Sequence, residues 1–186
     1  MWPSVQDWIS ALYIIAPIYC TNGAPVIFGR GKPIDLGKSL SDGERVFGDH
    51  KTIRGLVSGL IAGIIVGLLE YYFVSANLLF VAFLASLGAL LGDLGGAFVK
   101  RRLKMKPGKP LPGVDQLDFV IGAALLVSTS YSISLGSLLI ILLVTPPIHL
   151  VTNLGAYASG LKSTCWCEVS RRSWKLSEYW STRPRS

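Results

Sequence analysis

The sequence predicts an all-α, polytopic membrane protein with five transmembrane helices and two long cytoplasmic loops. Three stretches, residues 8–29, 71–92 and 119–161, contain no Asp, Glu, Lys or Arg. The chain of 186 residues is 51% hydrophobic and only 16% charged, and its mean hydropathy is +0.49. Because about 20 apolar residues cross a bilayer as a helix, this composition favours a multi-pass membrane protein over a soluble domain.

The distribution of basic residues predicts the orientation in the membrane. The 18 Lys and Arg residues form three groups of six, within residues 30–54, 100–109 and 162–185. Basic loops are retained on the cytoplasmic side. We therefore expect a cell-membrane protein with its N-terminus outside, all three basic segments inside, and an odd number of spans.

The five expected spans cover residues 8–27, 53–74, 78–99, 118–133 and 138–157. Pro25 in the first span and the pair Pro146-Pro147 in the fifth lack a backbone N–H group, which predicts a kink or break at each place. In the second span Gly55, Gly59, Gly63 and Gly67 recur every four residues. That spacing predicts a smooth ridge against which another helix packs closely.

Three carboxylates mark the candidate site. Asp93 lies near the inner end of the third span, and Asp115 and Asp118 lie at the start of the fourth. Charge at membrane depth is costly and suggests function by default, and residues at i and i+3 share one helix face. Mg²⁺ binds through carboxylates together with substrate phosphates. With six basic residues between them, the three carboxylates predict a metal site facing a polyphosphate, although N-capping would also explain one of the latter two.

The first cytoplasmic loop, residues 28–52, offers a second half of that site. Lys51 and Arg54 are three residues apart at the head of the second helix, where backbone N–H groups favour anions. The alternative, in which both charges only anchor the helix at the lipid headgroups, stays open. The run Gly-x-x-Lys-Thr at 48–52 is similar to part of a P-loop, but it lacks the preceding strand and the first glycine, so a P-loop is rejected.

Three further polar features carry weaker predictions. The Asn22 amide lies at membrane depth beside Pro25, and it either makes a helix–helix hydrogen bond or faces a ligand; both readings stay open. Glu70 is expected to be interfacial and structural. His149 and Asn153 share a helix face, where packing is favoured over catalysis.

Several of these segments resemble one known family of lipid enzymes. Gly92-Asp93, Lys100-Arg101 and residues 112–118 (Pro-Gly-Val-Asp-Gln-Leu-Asp) are similar to the signature of CTP-dependent phosphatidate cytidylyltransferases, with Gln116 in place of an Arg. Residues 22–25, 33–37, 42–45 and 48–55 resemble their compact archaeal branch, the CDP-archaeol synthases. The resemblance covers about residues 10–158, so residues 1–161 are expected to form an integral membrane cytidylyltransferase domain. Residues 162–186 are basic and Trp-rich and are expected to form a cytoplasmic tail of unknown role.

The resemblance implies that CTP and a digeranylgeranylglyceryl phosphate react to give a CDP-lipid and pyrophosphate. It implies a Mg²⁺-dependent nucleotidyltransferase of phospholipid biosynthesis, with a second cation as an option. The expected partners are CTP, the ether-lipid phosphate and bilayer lipid, with no nucleic acid; a homodimer is left open. The residues expected to act in catalysis are Asp93, Asp115, Asp118 and Lys100, the three carboxylates being the metal ligands. Those expected to bind CTP are Asn22, Gly23, Lys38, Lys51, Thr52, Arg54, Lys100 and Arg101.

The sequence leaves two rival functions open. A CDP-alcohol phosphotransferase is suggested by Asp42-Gly43-Glu44-Arg45, which resembles the start of that family's motif, but the later Gly-x-x-x-Asp-x-x-x-Asp part is missing. A small cation transporter could use the same intramembrane carboxylates as an ion path. The basic residues beside those carboxylates favour a polyphosphate ligand instead.

Overall fold

A computed structural model describes residues 2–105, 111 and 113–161, and within them the chain is all-helical apart from its loops. The predicted all-α fold is therefore confirmed for these residues. The predicted tail, residues 162–186, lies outside them. Two isolated β-bridges, Pro33 with Thr52 and Ser39 with Arg45, lie in the first long loop. The helices are α1 Val5–Phe28, α2 Ile53–Phe73, α3 Asn77–Arg102, α4 Val114–Val127 and α5 Leu135–Ala158.

Four of these helices, α1, α2, α3 and α5, are long and apolar enough to cross a membrane. The exception, α4, has 14 residues and is about 21 Å long, shorter than a hydrocarbon core of about 30 Å. The expected fourth span at 118–133 is thus corrected: the helix begins at Val114 and ends at Val127. Beyond its end, the hydroxyl groups of Ser128 and Thr129 donate to Ala124 and Leu126 carbonyls at 2.6 and 2.7 Å, which competes with continued helix.

The prolines do not break their helices; of the predicted kink or break, the break is wrong and the kink stays a prediction. α1 continues through Pro25 and α5 through Pro146 and Pro147. In α1 the missing N–H of Pro25 deprives the Thr21 carbonyl of its helical partner. That oxygen lies against α2 instead, 2.6 Å from where a Cβ at Gly59 would be. The packing of the neighbouring helix therefore accommodates the proline.

The glycine ridge of α2 lies against both α1 and α3, which confirms the prediction made from its four-residue spacing. Gly55, Gly59, Gly63 and Gly67 are buried, whereas large apolar side chains of α2 such as Ile61 and Ile65 are exposed. A Cβ added at Gly67 would lie 2.6 Å from the Ala82 Cβ of α3, and one at Gly63 would overlap the hydroxyl groups of Ser86 and Thr21. The close approach of these helices thus depends on the absence of side chains.

An even closer contact joins α3 to α4, which run antiparallel. A Cβ added at Gly88 would lie 2.5 Å from the Gly122 carbonyl oxygen, and one at Gly92 would overlap the Asp118 carbonyl oxygen. Small residues permit such backbone contact between membrane helices. The consequence for the site is that the first turn of α4 lies directly against the inner half of α3. The buried apolar core around this pair includes Ile14, Ile18, Ala85, Ala89, Phe119, Val120, Ala123, Ile140 and Ile141.

Candidate active site

The first long loop, residues 29–52, is folded around one buried carboxylate, Asp35. Its side chain is 1% exposed and accepts two hydrogen bonds from Arg45, at 2.5 and 3.3 Å. Backbone N–H groups of Phe47 and Gly48 donate to it at 3.0 Å, and that of Gly37 at 3.2 Å. The Arg45 guanidinium, followed by these N–H donors, holds the pKa of Asp35 well below its usual range despite burial. The loop is thus an ordered unit rather than a flexible connection.

The pKa of Asp35 predicts how the loop responds to acid. Because the folded-state pKa lies below the unfolded value, the carboxylate contributes stability that is fully present above about pH 4 and lost as pH falls through the folded pKa. Hydrogen exchange of the Phe47 and Gly48 amides, corrected for intrinsic rates, should therefore be constant from pH 7 to pH 5. In Asp35→Asn it should be about tenfold faster or more at pH 7. A wild-type loop that loses protection between pH 7 and pH 5 would contradict this assignment.

Arg102, in the last turn of α3, attaches this loop to the helix bundle. Its guanidinium donates to the Asp42 carboxylate at 2.6 Å and to the backbone carbonyls of Arg45 and Glu44 at 2.6 and 3.2 Å. The hydrogen bond that the Glu44 backbone N–H donates to Asp42, together with the Arg102 guanidinium, lowers the pKa of Asp42. Sequence analysis assigned no role to Arg102, Asp35 or Arg45. Asp35 and Arg45 lie in segments that resemble the family's motifs, but neither that resemblance nor the density of glycine and charge in the loop identifies their partners.

The end of the loop presents Lys51 to α3. The Lys51 Nζ atom lies 2.6 Å from both carboxylate oxygens of Asp93. Thr52 follows as the N-cap of α2, where its hydroxyl accepts from the Gly55 N–H at 3.0 Å and donates to the Gly29 carbonyl. Helix capping therefore orients the residue next to Lys51, and Lys51 and Asp93 join the loop to the third helix.

A second ion pair joins α3 to α4. The Lys100 Nζ atom lies 2.6 Å from Asp115 Oδ1, and the other carboxylate oxygen of Asp115 accepts from the Leu111 N–H at 3.1 Å. Lys100 was expected at the start of the second cytoplasmic loop, but α3 continues to Arg102. Cations in the last turn of a helix favourably oppose its dipole, which is consistent with this extension.

Asp118 lies close to members of both ion pairs. One of its oxygens accepts from the Phe119 N–H at 2.7 Å, and the other fills the space beside Gly96 of α3 that a Cβ would occupy. Asp118 interacts electrostatically with Asp93, Lys51 and Asp115. The structure thus brings together five predicted site residues from three parts of the chain: Lys51, Asp93, Lys100, Asp115 and Asp118.

The donor chemistry of this cluster fits a hard divalent cation, because all three acidic side chains supply oxygen ligands. However, among the residues that the structure describes, no group of three His, Cys, Asp or Glu side chains is arranged to hold a metal ion. Asp93 and Asp115 are each turned toward a lysine. The metal assignment from sequence therefore stays a prediction.

Two of the expected CTP-binding arginines occupy different surroundings. Arg54 is exposed in the first turn of α2, where its Cβ lies beside Gly31. Arg101 is buried, and its side chain lies beneath the loop, beside Gly48. The Arg101 Nε atom has no hydrogen-bond partner within the described residues. Arg101 thus points toward the loop, whereas its neighbour Lys100 points toward α4.

The remaining expected CTP-binding residues lie on α1 and in the loop. Asn22 is half-buried in α1, and a Cβ added at Gly23 would meet nothing within 4 Å. Lys38 is exposed; its backbone carbonyl accepts from the Val46 N–H at 3.2 Å. None of the contacts described for these residues involves the carboxylates, and their roles stay predictions.

The fold and the site together define a class: a polytopic membrane protein in which acidic and basic side chains meet at one end of the helix bundle, as expected of an intramembrane enzyme for a charged substrate. Residues 5–166 match the family described as CarS-like CDP-archaeol synthase. The chain belongs to the CDP-archaeol synthase family, as the resemblance in its motifs implied.

Individual relatives are similar to this chain over most of its length. A CDP-archaeol synthase of Pyrococcus furiosus is 45% identical over 163 residues, covering 85% of this chain and 98% of that protein. One of Methanocaldococcus jannaschii is 39% identical, covering 84% and 96%. A solved structure of an intramembrane enzyme for archaeal membrane lipids biosynthesis superposes with a TM-score of 0.74 at 36% identity, covering 78% of this chain and 94% of that one.

Proposed function

We propose that this protein transfers the cytidylyl group of CTP to an archaeal ether-lipid phosphate, giving a CDP-activated lipid and pyrophosphate. Membership of the CDP-archaeol synthase family supports the reaction. The observation that carries it to this chain is the cluster of Lys51, Asp93, Lys100, Asp115 and Asp118 at the ends of apolar helices. The proposed lipid is a digeranylgeranylglyceryl phosphate.

The chemistry requires positioning and charge neutralisation rather than a protein nucleophile. A lipid phosphate oxygen attacks the α-phosphorus of CTP, the bond from that phosphorus to the β-phosphate bridging oxygen breaks, and pyrophosphate leaves. Because both reactants are anions, the principal barrier is electrostatic. Lys51 and Lys100 supply positive charge at the site. The lipid phosphate is already ionised, so no general base is needed.

We further propose that Asp93, Asp115 and Asp118 hold the metal. A bound Mg²⁺ would screen the charge of the triphosphate and of the leaving pyrophosphate. Asp118 is suited to such a role because it lies close enough to Asp93 and Asp115 to interact electrostatically with both. The three acidic residues come from α3 and α4. The backbones of these helices approach closely because Gly88, Gly92 and Gly122 carry no side chains.

The position of the site relative to the membrane follows from the same residues. The cluster lies at the start of α2, the end of α3 and the start of α4. Arg54 makes the first of these ends basic and residues 100–102 make the second one basic, and the positive-inside rule assigns basic ends to the cytoplasm, where CTP is available. The N-terminus of α1 would then lie outside. The outward faces of the helices carry large apolar side chains such as Leu91, Leu125 and Leu143, so the lipid chains can remain in the bilayer. Residues 1–161 would form the catalytic domain.

The experiment that tests the reaction is a product assay with the purified full chain in detergent. Labelled CTP, the lipid phosphate and Mg²⁺ should give equal amounts of CDP-lipid and pyrophosphate, whereas the corresponding lipid alcohol should give neither. Activity only with a preformed CDP-lipid and an alcohol acceptor would identify a phosphotransferase instead. Cation flux through proteoliposomes without CTP, and without turnover, would identify a transporter.

A further inference from the structure

Two of the three site carboxylates are already neutralised by the protein itself. Lys51 contacts both oxygens of Asp93 at 2.6 Å, and Lys100 contacts Asp115 at 2.6 Å. The side chains of Lys51 and Asp93 are 27% and 31% exposed. Those of Lys100 and Asp115 are 20% and 16% exposed. Partly buried pairs of this kind are less screened than surface pairs, so these ammonium groups compete effectively for the carboxylates.

We propose that Lys51 and Lys100 block the carboxylates against a cation until a nucleotide arrives, and then exchange their carboxylate partners for its phosphates. This partner exchange rests on the proposed function, since it assigns both ligands to the same site. In each ion pair an ammonium group contacts carboxylate oxygens that a divalent cation needs. The phosphate chain of CTP offers the lysines new anionic oxygens, and Asp93 and Asp115 are then released.

The lysine side chain is suited to this exchange of partners. An ammonium on a flexible four-carbon stem is a point charge that can move between partners, whereas the Arg102 guanidinium is held by three acceptors. Lys51 reaches the site from the loop and Lys100 from α3, so the two lysines approach the carboxylates from different elements. Asp118 has no ion-pair partner among the described residues, so the exchange involves only Asp93 and Asp115.

Partner exchange predicts a result that would not be seen if the lysines bound only phosphate and the carboxylates bound only the cation. Removing a blocking lysine should strengthen binding of a cation alone, even though the same change weakens binding of the nucleotide. If the lysines only attracted phosphate and did not compete with the cation, their removal would affect nucleotide binding alone. If they only stabilised the fold, their removal would not strengthen cation binding.

The test is a titration of the full chain in detergent with Mn²⁺ as the probe cation, without nucleotide or lipid, followed by electron paramagnetic resonance. Lys51→Gln and Lys100→Gln should each bind Mn²⁺ about tenfold more tightly than wild type, because one positive charge next to the ligands is gone. Lys51→Arg should bind it as weakly as wild type. Lys104→Gln, which removes an exposed lysine and the same net charge, is the matched control and should differ by less than about threefold.

A second titration examines the nucleotide side of the exchange. In the presence of EDTA, CTP should bind Lys51→Gln and Lys100→Gln at least about tenfold more weakly than wild type. Unchanged or weaker Mn²⁺ binding in both glutamine variants would overturn the proposal, as would an equal gain in Lys104→Gln. Because the Mn²⁺ titration contains no substrate, its outcome is separate from that of the product assay, whose failure would overturn the proposed function.

Discussion

Replacing Asp93 by asparagine should lower the turnover of CTP with the lipid phosphate by about 10²–10³-fold. An amide neither carries the charge that balances Lys51 nor binds a divalent cation as a carboxylate does. The side chain is almost unchanged in size, so the packing of α3 should persist. Initial rates of pyrophosphate release, measured beside the thermal unfolding temperature of each variant, separate a loss of chemistry from a loss of fold.

Asp49 provides the matched control for this change. Its side chain is 66% exposed and pairs with Arg45 at 2.8 Å, and such surface pairs contribute little to stability. Asp49→Asn should therefore retain turnover within about twofold of wild type. Near-normal turnover in Asp93→Asn, with the control also normal, would remove Asp93 from the proposed metal site.

Replacing Gly92 by alanine should have the largest effect on the fold. The added methyl group would overlap the Asp118 carbonyl oxygen and lie 3.0 Å from the Phe119 Cα atom. Both are backbone atoms, so the helices must separate, at a cost of roughly 3 kcal/mol or more. Separation of α3 from α4 would also move Asp118 away from Asp93. We expect a lower unfolding temperature in detergent together with loss of turnover.

Gly95 lies three residues further along the same helix and serves as the control. A Cβ added there meets nothing within 4 Å, and alanine is favoured over glycine within a helix by about 1 kcal/mol. Gly95→Ala should therefore be as stable as wild type or slightly more so. Equal stability of the Gly92→Ala and Gly95→Ala proteins would show that α3 and α4 do not touch through their backbones.

Much of the membrane architecture was predictable because hydropathy and charge are local properties. The four long helices begin and end within three residues of the expected spans. The two exceptions, the course of α1 at Pro25 and the end of α4, depend on contacts with neighbouring residues. α1 continues past Pro25 because the freed carbonyl is accommodated beside Gly59, and α4 ends early where Ser128 and Thr129 bond to the preceding turn. Neither compensation is visible in the hydropathy of the segment itself.

The sequence by itself determined that this is a membrane protein, and it predicted functional carboxylates because charge placed within apolar stretches is costly and needs a reason. Its motifs also determined the family. Only the tertiary structure decided which charges meet: Lys51 and Asp93 are 42 residues apart in the chain. Lys100, Arg101 and Arg102 are adjacent and chemically similar, but each residue of a helix is rotated by about 100° from the last. That rotation directs Lys100 to Asp115, Arg101 beneath the loop and Arg102 to the loop's backbone.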